Sequence, residues 1–154
     1  MSRLQLALNV DDLGAAIGFY SKLFGAEPAK RRPGYANFAI TEPPLKLVLL
    51  ENPGHGGSLN HLGVEVTDID TVDSEQSRLA EAGLASVDER GSTCCYAKQD
   101  KFWVEGAPDG ERWEIYTVLA DSQTFSAPSA DGAECCGTDH IASATPGASA
   151  TACC

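Results

Sequence analysis

The stretch QLALNVDD, residues 5–12, alternates apolar and other side chains with the period of a β-strand and ends in acidic residues typical of a helix start. A second stretch, HLGVEVTD at residues 61–68, has the same alternation and also ends at an aspartate. Aligning Gln5 with His61 superimposes the two, and the glycine-rich residues 52–58 separate them. An internal repeat is the simplest explanation.

The segments after each stretch support the repeat. In the first half, apolar residues recur at helical spacing up to Phe24, and Gly25 offers a left-handed helix end. Three short strands are then predicted, at residues 27–32, 35–40 and 45–51. In the second half a weaker helical pattern ends at Gly83, and strands are predicted at residues 86–91, 101–105 and 111–118. We therefore predict an α+β fold of two tandem βαβββ modules, at residues 1–51 and 59–119.

The remaining residues, 120–154, are mostly Ala, Ser, Thr, Gly and Asp, with Phe125 and Ile141 as the large apolar residues. Such a segment buries too little apolar surface to offset its ordering entropy. It is predicted to be a disordered, cysteine-containing tail. One compact domain of 119 residues precedes it.

Composition limits the possible partners. The net charge is -11, and all 11 Lys and Arg residues precede residue 113. Residues 1–119 keep 18 of the 22 acidic residues, so this part carries 11 minus 18, or -7. A negative field opposes nucleic acid and anionic lipid. No apolar run approaches the roughly 20 residues that cross a bilayer, and residues 1–10 do not resemble a secretory signal. We expect a cytoplasmic protein that binds neither nucleic acid nor membrane.

Three polar residues are candidates for a metal site. Gln5 and His61 lie at equivalent positions of the repeat, on the strand face turned away from the helix. Glu114 joins them if its neighbours in the last strand pack on the helix. An imidazole, a carboxylate and an amide oxygen suit a divalent ion with open coordination positions. Tyr116 shares this face, where it could serve catalysis by hydrogen-bonding oxygen at the metal or simply contribute to packing.

The six cysteines form three adjacent pairs, Cys94-Cys95, Cys135-Cys136 and Cys153-Cys154. Scaffold disulfides usually join dispersed cysteines, so adjacent pairs indicate redox chemistry or capture of a soft ion. On a regular strand, Cys94 and Cys95 would point to opposite faces. We therefore predict an irregular, movable loop at residues 91–98, at the mouth of the cup. A buried, inert cysteine beside an exposed one is the alternative.

The repeat and its ligand positions resemble the vicinal oxygen chelate superfamily, which includes glyoxalase I, fosfomycin resistance thiol transferases and extradiol dioxygenases. The resemblance implies that two βαβββ units form a cup with metal ligands on their first and last strands. Leu47, Val48 and Leu49 stand where a glyoxalase-like site would have a glutamate. A four-ligand glyoxalase centre is therefore incomplete here.

A closer resemblance lies in the strings LQLALNVDDL, RRPGYANFAI, PPLKLVLLENPG, LNHLGVEV, TCCYAKQDKFWV and WEIYTVLADS. They are similar to those of the ArsI carbon-arsenic lyases, a family that includes the cadmium-induced CadI-like proteins. The resemblance implies a non-haem Fe(II), O2-dependent enzyme that cleaves trivalent organoarsenicals to arsenite for arsenic detoxification. Methylarsonous acid is the expected substrate, and aromatic arsenicals are further candidates.

By this resemblance Gln5, His61 and Glu114 are the metal ligands, and Cys94 and Cys95 bind arsenic. Other divalent ions, such as Ni, Co, Zn or Mn, could replace iron. Gln5 departs from a strict triad of two histidines and one carboxylate, although an amide oxygen can also ligate.

Two other functions remain open from the sequence. The chain could sequester cadmium or arsenite without turnover, or act as a thiol transferase or isomerase on the same fold. The tail pairs could deliver arsenic to Cys94 and Cys95 or only hold thiophilic ions. Both modules belong to one chain, so a monomer could complete the site, while a homodimer could exchange modules.

Overall fold

Two βαβββ modules follow one another along the chain. The computed structural model describes residues 2–127. Module 1 consists of β1 Arg3–Val10, α1 Leu13–Phe24, β2 Lys30–Arg32, β3 Tyr35–Ile40 and β4 Leu45–Glu51. Module 2 consists of β5 Leu59–Glu65, α2 Ile69–Glu81, β6 Ser86–Cys94, β7 Ala97–Val104 and β8 Trp113–Asp121, followed by a short strand, β9 Ser126–Ala127. The order predicted from the repeat is confirmed.

The strands form one curled sheet in the order β2-β3-β4-β1-β5-β8-β7-β6-β9. At its centre β1 runs antiparallel to β5, with Gln5 opposite Gly63 and Ala7 opposite His61. On either side β1 pairs in parallel with β4, and β5 with β8. The strand pairing on the two sides is equivalent, so an approximate two-fold axis passes between β1 and β5. The axis relates Gln5 to His61, as the alignment of the two sequence stretches predicted.

Each helix starts at the aspartate that closes its strand stretch. The Asp12 carboxylate accepts a hydrogen bond from the Ala15 amide at 2.8 Å, and Asp68 does the same for Thr71 at 2.8 Å. These are N-cap bonds, which satisfy amides that have no partner within the helix. Gly25 ends α1 with a φ of 62°, in the left-handed region where glycine carries no steric cost.

The helices cover one face of the sheet. Under α1 the core contains Ile17, Phe38, Leu47 and Leu49, and under α2 a second core contains Val72, Leu79, Phe102 and Ile115. The concave face is also buried, because the curled sheet encloses it. Buried residues with polar groups line up along it, among them Gln5 at 4%, His61 at 2% and Glu114 at 3% exposure.

The predicted loop at residues 91–98 is wrong. Strand β6 continues to Cys94, and β7 begins at Ala97, which pairs with Cys94. Only Cys95 and Tyr96 form the turn, with φ angles of 55° and 61°. Tight two-residue hairpins place both central residues at positive φ and usually contain Asn or Gly there. The absence of these residues concealed the hairpin in the sequence.

The folded part also extends beyond the boundary predicted at residue 119. Strand β8 continues to Asp121, and β9 pairs with Thr93 and Cys94 of β6. Between them, the Phe125 ring lies 5.6 Å from the Tyr96 ring. The other tail predictions, including both distal cysteine pairs, lie outside the described residues. Strand β2 is shorter than predicted, starting at Lys30 instead of residue 27.

Neither helix in residues 2–127 has the length and apolar character that crossing a membrane requires.

Replacing Phe125 with Ala should lower the free energy of unfolding by about 1–2 kcal/mol, because a half-buried ring leaves Tyr35 and Tyr96. Phe19→Ala is the matched control, since the Phe19 side chain is 61% exposed on α1, and should change stability by less than about 0.5 kcal/mol. Urea unfolding of the full-length variants measures both values. Equal effects would show that the segment after β8 adds no stability.

Candidate metal and thiol site

Three polar side chains meet on the concave face where the modules join. Gln5 Nε2 lies 3.0 Å from His61 Nε2 and 2.8 Å from Glu114 Oε1, and the latter two atoms are 3.4 Å apart. The register explains this convergence, because Gln5 pairs with Gly63, and Gly63 with Glu114 on the other side. The structure thus brings together all three residues predicted as metal ligands.

The imidazole of His61 is held from two sides. Its Nδ1 lies 2.7 Å from Asn60 Oδ1, and Trp103 meets the ring edge-on with centroids 5.6 Å apart. The amide oxygen of Asn60 can only accept, so Nδ1 donates to it, and Nε2 is the ring nitrogen that faces Gln5 and Glu114. A ligating histidine typically has such a partner, which fixes its tautomer and orientation.

Gly63 makes room for the cluster. A Cβ atom on this residue would lie 3.1 Å from Glu114 Cγ and 3.3 Å from both Cβ and Nε2 of Gln5. These distances are tighter than ordinary van der Waals contacts, so a side chain would push the two residues apart. The absence of a side chain at position 63 is therefore part of the site's construction.

The geometry fits a divalent metal ion. Bonds of about 2.1 Å to one ion place neighbouring ligand atoms roughly 3 Å apart, close to the separations among these three side chains. Within residues 2–127 no three His, Cys, Asp or Glu side chains form a group suited to a metal. The Gln5 amide is the candidate for the third donor beside His61 and Glu114. An ion held here would bind the oxygen of that amide, which requires the amide to turn its oxygen towards His61 and Glu114.

The fourth position of the cup is apolar. In the parallel pair β5-β8, Gly63 faces Glu114, and in the equivalent pair β1-β4, Ala7 faces Val48. Val48 thus occupies the place in module 1 that Glu114 occupies in module 2. The register thus agrees with the expectation that an apolar residue of this strand stands where a glyoxalase-like site would have a glutamate.

A buried lysine lies beside the carboxylate. Lys101 Nζ is 3.2 Å from Glu114 Oε2 and 3.6 Å from Glu89 Oε2, and its residue is only 1% exposed. Its ammonium also lies 4.8 Å from the centre of the Trp103 ring, a cation-π distance. Lys101 partly offsets the negative charge of Glu114, whose burial would otherwise be costly.

Tyr116 lies behind Gln5 in a second network. Its hydroxyl is 2.5 Å from Gln5 Oε1, 2.8 Å from Glu65 Oε2 and 3.0 Å from Lys46 Nζ. Arg3 binds the other oxygen of Glu65 at 2.8 Å. The catalytic role predicted for Tyr116 stays a prediction, since the hydroxyl is directed at these partners.

Two titratable groups of this network, the Tyr116 phenol and the Glu65 carboxyl group, have shifted pKa values. Burial, together with the carboxylates of Glu65 and Glu114, raises the pKa of the Tyr116 phenol well above its ordinary value. Burial alone would also raise the pKa of Glu65, but Lys46 outweighs it through its charge and hydrogen bond, and the net shift is downward. At neutral pH the network therefore contains a protonated phenol and an ionised carboxylate.

The adjacent cysteines both face inward. The sulfur atoms of Cys94 and Cys95 are 3.3 Å apart and are not joined in a disulfide, with Cys94 buried and Cys95 half-buried. The positive φ of Cys95 turns its side chain to the same side as Cys94, which a regular strand would not allow. Two thiols thus point in one direction, through the tight turn at Cys95 and Tyr96 and not through the longer loop that was predicted.

One pocket contains the thiols and the ligand cluster. Its wall is formed by the three candidate ligands, both sulfur-bearing residues, two lysines and three further side chains: Gln5, His61, Glu114, Cys94, Cys95, Lys46, Lys101, Tyr35, Val48 and Gln99. The burial of Tyr35, with charge at Cys95 as a second cause, raises its pKa, so its phenol stays neutral. A molecule bound by the thiols would therefore lie next to the candidate metal site.

Sequence reasoning missed the two lysines and Glu65. Lys46 alternates with Leu45 and Leu47, which face the helix, and this pattern could have placed its side chain in the cup. The side chain of Lys101 could not be assigned to a face of the sheet, because the strand was predicted to begin at this residue. The preceding residues, which show the alternation, were left outside it. Buried lysines are uncommon, so the expectation of solvent exposure dominated.

The paired modules and their shared cup define the class of protein. Residues 3–115 match the family described as the Glyoxalase/Bleomycin resistance protein/Dioxygenase superfamily, and the chain belongs to it. The fold agrees with that of the Mn(II)-bound glyoxalase from Novosphingobium aromaticivorans, with a TM-score of 0.56 at 19% identity, covering 79% of this chain and 42% of that one.

Its relatives are more specific. The chain is 74% identical over 125 residues to the "Cadmium-induced protein CadI" of Mycobacterium tuberculosis, covering 81% of this chain and 82% of the relative. It is 60% identical over 137 residues to the "Trivalent organoarsenical cleaving enzyme" of Thermomonospora curvata, covering 88% and 89%. The resemblance seen in the sequence strings is confirmed.

Gly63→Ala should weaken binding of a divalent ion by about tenfold or more, because the added methyl group displaces Gln5 and Glu114. The control is Gly18→Ala on α1, where an added Cβ meets nothing within 4 Å and binding should be unchanged. Titration with Co(II) followed by visible absorption gives both affinities. Wild-type affinity in Gly63→Ala would show that the cluster tolerates the displacement.

Proposed function

We propose that the protein is an Fe(II)- and O2-dependent carbon-arsenic lyase that cleaves trivalent organoarsenicals, such as methylarsonous acid, to arsenite. The observation that carries the proposal is the common pocket, which is lined by an adjacent thiol pair and by the three candidate metal ligands. Aromatic arsenicals are further candidate substrates. Detoxification of organic arsenic would be the biological role.

The thiol pair supplies the arsenic site. Trivalent arsenic is soft and prefers sulfur ligands, and a second thiol nearby turns a single bond into a chelate. The sulfur atoms of Cys94 and Cys95 already lie 3.3 Å apart, so little rearrangement is needed to bind one arsenic atom between them. Cys95 is partly exposed and gives the substrate its first point of attachment.

Gln5, His61 and Glu114 would hold the iron. When bound, Fe(II) supplies the activation of dioxygen that the side chains of a protein cannot provide. The chain's own residues define the surroundings: Asn60 fixes the His61 ring, and Lys101 balances the Glu114 charge. Other divalent ions, including Mn, Co, Ni and Zn, would fit the same donors.

Buried side chains surround the thiol part of the pocket. Val48 and Tyr35 are each 2% exposed, and Cys95 packs against the cluster to which both belong. A dry, fixed geometry allows the thiols to hold the carbon-arsenic bond towards the metal in one orientation. We therefore assign arsenic binding to the β6-β7 hairpin with its two cysteines. Cleavage of the carbon-arsenic bond is assigned to the candidate metal site on β1, β5 and β8.

One relative supports the proposed activity, and the name of another is compatible with the alternative function of metal sequestration. The Thermomonospora curvata relative is a trivalent organoarsenical cleaving enzyme, whereas the Mycobacterium tuberculosis relative is named as cadmium-induced. A protein that only sequesters cadmium or arsenite would need the thiols without the three metal-binding side chains.

The decisive experiment separates binding from turnover. The full-length protein is loaded anaerobically with Fe(II), mixed with methylarsonous acid and then exposed to air, and arsenite is quantified. We expect arsenite only when both iron and oxygen are present. Tight arsenic binding without arsenite release would instead support sequestration.

Two variants should divide the site into its parts. Glu114→Ala should abolish arsenite release while arsenic still binds, because the metal loses a ligand and the thiols remain. Cys95→Ser should abolish arsenic binding at low concentration and leave metal binding intact. Equilibrium dialysis with methylarsonous acid or Co(II) measures the two affinities.

Glu105→Ala serves as the control for Glu114→Ala, since it removes an exposed carboxylate at the end of the β7 segment. It should retain wild-type turnover. Activity in Glu114→Ala equal to that of this control would refute the ligand assignment.

A further inference from the structure

The orientation of the Gln5 amide decides whether this side chain can bind a metal. Its Nε2 faces His61 and Glu114, while its Oε1 faces Tyr116. In this orientation the amide donates hydrogen bonds to the cluster and offers no lone pair there. Turning the amide by half a rotation exchanges two groups of nearly equal size and moves no other atom.

The hydroxyl of Tyr116 has too few protons for the first orientation. Two acceptors surround it, Gln5 Oε1 at 2.5 Å and Glu65 Oε2 at 2.8 Å, and the phenol has one proton. Lys46 donates to the phenol oxygen from a third direction at 3.0 Å. One of the two close oxygen pairs is then left without a hydrogen between them, which is costly for groups as buried as these.

Turning the amide satisfies the groups around the phenol oxygen of Tyr116. Gln5 Nε2 then donates to the phenol oxygen, Lys46 donates to its second lone pair, and the phenol proton goes to Glu65. Lys46 and Arg3 hold this carboxylate in place at 2.9 and 2.8 Å. Gln5 Oε1 now joins the His61 nitrogen and the Glu114 carboxylate, so three acceptors converge on one point. A cation bound between these three atoms would stabilise such an arrangement.

We propose that Tyr116, anchored by Glu65 and Lys46, is a positioning residue that turns the Gln5 amide oxygen towards the metal and thereby sets the affinity of the site for a divalent ion. The proposal rests on the metal centre of the proposed function. It gives Tyr116 a role that does not require contact with substrate.

A double-mutant cycle on metal binding tests the proposal. Tyr116→Phe removes the hydroxyl and keeps the ring, so Co(II) should bind about 10–100-fold more weakly than to wild type. Gln5→Glu removes the need for orientation, because both carboxylate oxygens can ligate. Adding Tyr116→Phe to Gln5→Glu should therefore change the Co(II) affinity by less than about threefold.

Two readouts separate positioning from a general structural effect. The visible absorption of bound Co(II) should change its band positions in Tyr116→Phe, because an altered third ligand changes the ligand field, and should be the same in Gln5→Glu with and without the second substitution. Tyr20→Phe on α1, remote from the cup, is the control and should keep wild-type affinity and spectrum. Thermal unfolding confirms that each variant is folded.

The outcomes decide the inference separately from the lyase proposal. Wild-type Co(II) affinity in Tyr116→Phe overturns the inference, as does an equal loss of affinity in the Gln5→Glu background. A wild-type chain that binds Co(II) and shows the expected cycle, yet releases no arsenite with Fe(II) and oxygen, supports the inference and overturns only the lyase.

Discussion

Three polar side chains buried between two modules are the constraint on which the rest of the structure depends. Gln5, His61 and Glu114 lie on central strands with both faces covered, where unpaired polar groups cost several kcal/mol. Specific contacts with neighbouring residues reduce this cost. Asn60 accepts a hydrogen bond from the His61 imidazole, and Lys101 forms an ion pair with the Glu114 carboxylate. The apolar cores under the helices hold the strands at the register these contacts require.

The two modules have the same order of strands and helix but carry different residues at the equivalent positions that line the pocket. The two-fold axis relates Gln5 to His61 and Val48 to Glu114, so each pair differs in donor strength. A fully symmetric cup would surround an ion with four equivalent donors and leave less room for a reactant. Val48 instead contributes an apolar side chain to the pocket that the cysteines also line.

The sequence allowed the repeat, the helix starts and the three candidate ligands to be predicted, because each depends on a short-range pattern. Strand alternation fixes the face of Gln5, and an acidic residue fixes the start of a helix. The hairpin at Cys95 and Tyr96 could not be predicted, since non-glycine residues seldom adopt positive φ. The hydrogen-bond network around Tyr116 could not be predicted either. Lys46, Glu65 and Gln5 come together only when β4, β1, β5 and β8 are in register.

The unusual turn at the cysteines follows from what surrounds it. Consecutive non-glycine residues at positive φ are strained and persist only when neighbouring structure fixes them. Here the Tyr96 ring packs 5.4 Å from Tyr35, and its carbonyl accepts hydrogen bonds from Lys30 at 3.1 Å and Ser122 at 2.9 Å.

The strain is thus balanced within the folded chain. Both sulfur atoms already face the pocket before a ligand arrives, which reduces the ordering that binding would otherwise require. Because the same hairpin pairs with β9 and lines the pocket of the three polar side chains, folding brings the two thiols together with Gln5, His61 and Glu114 in one pocket.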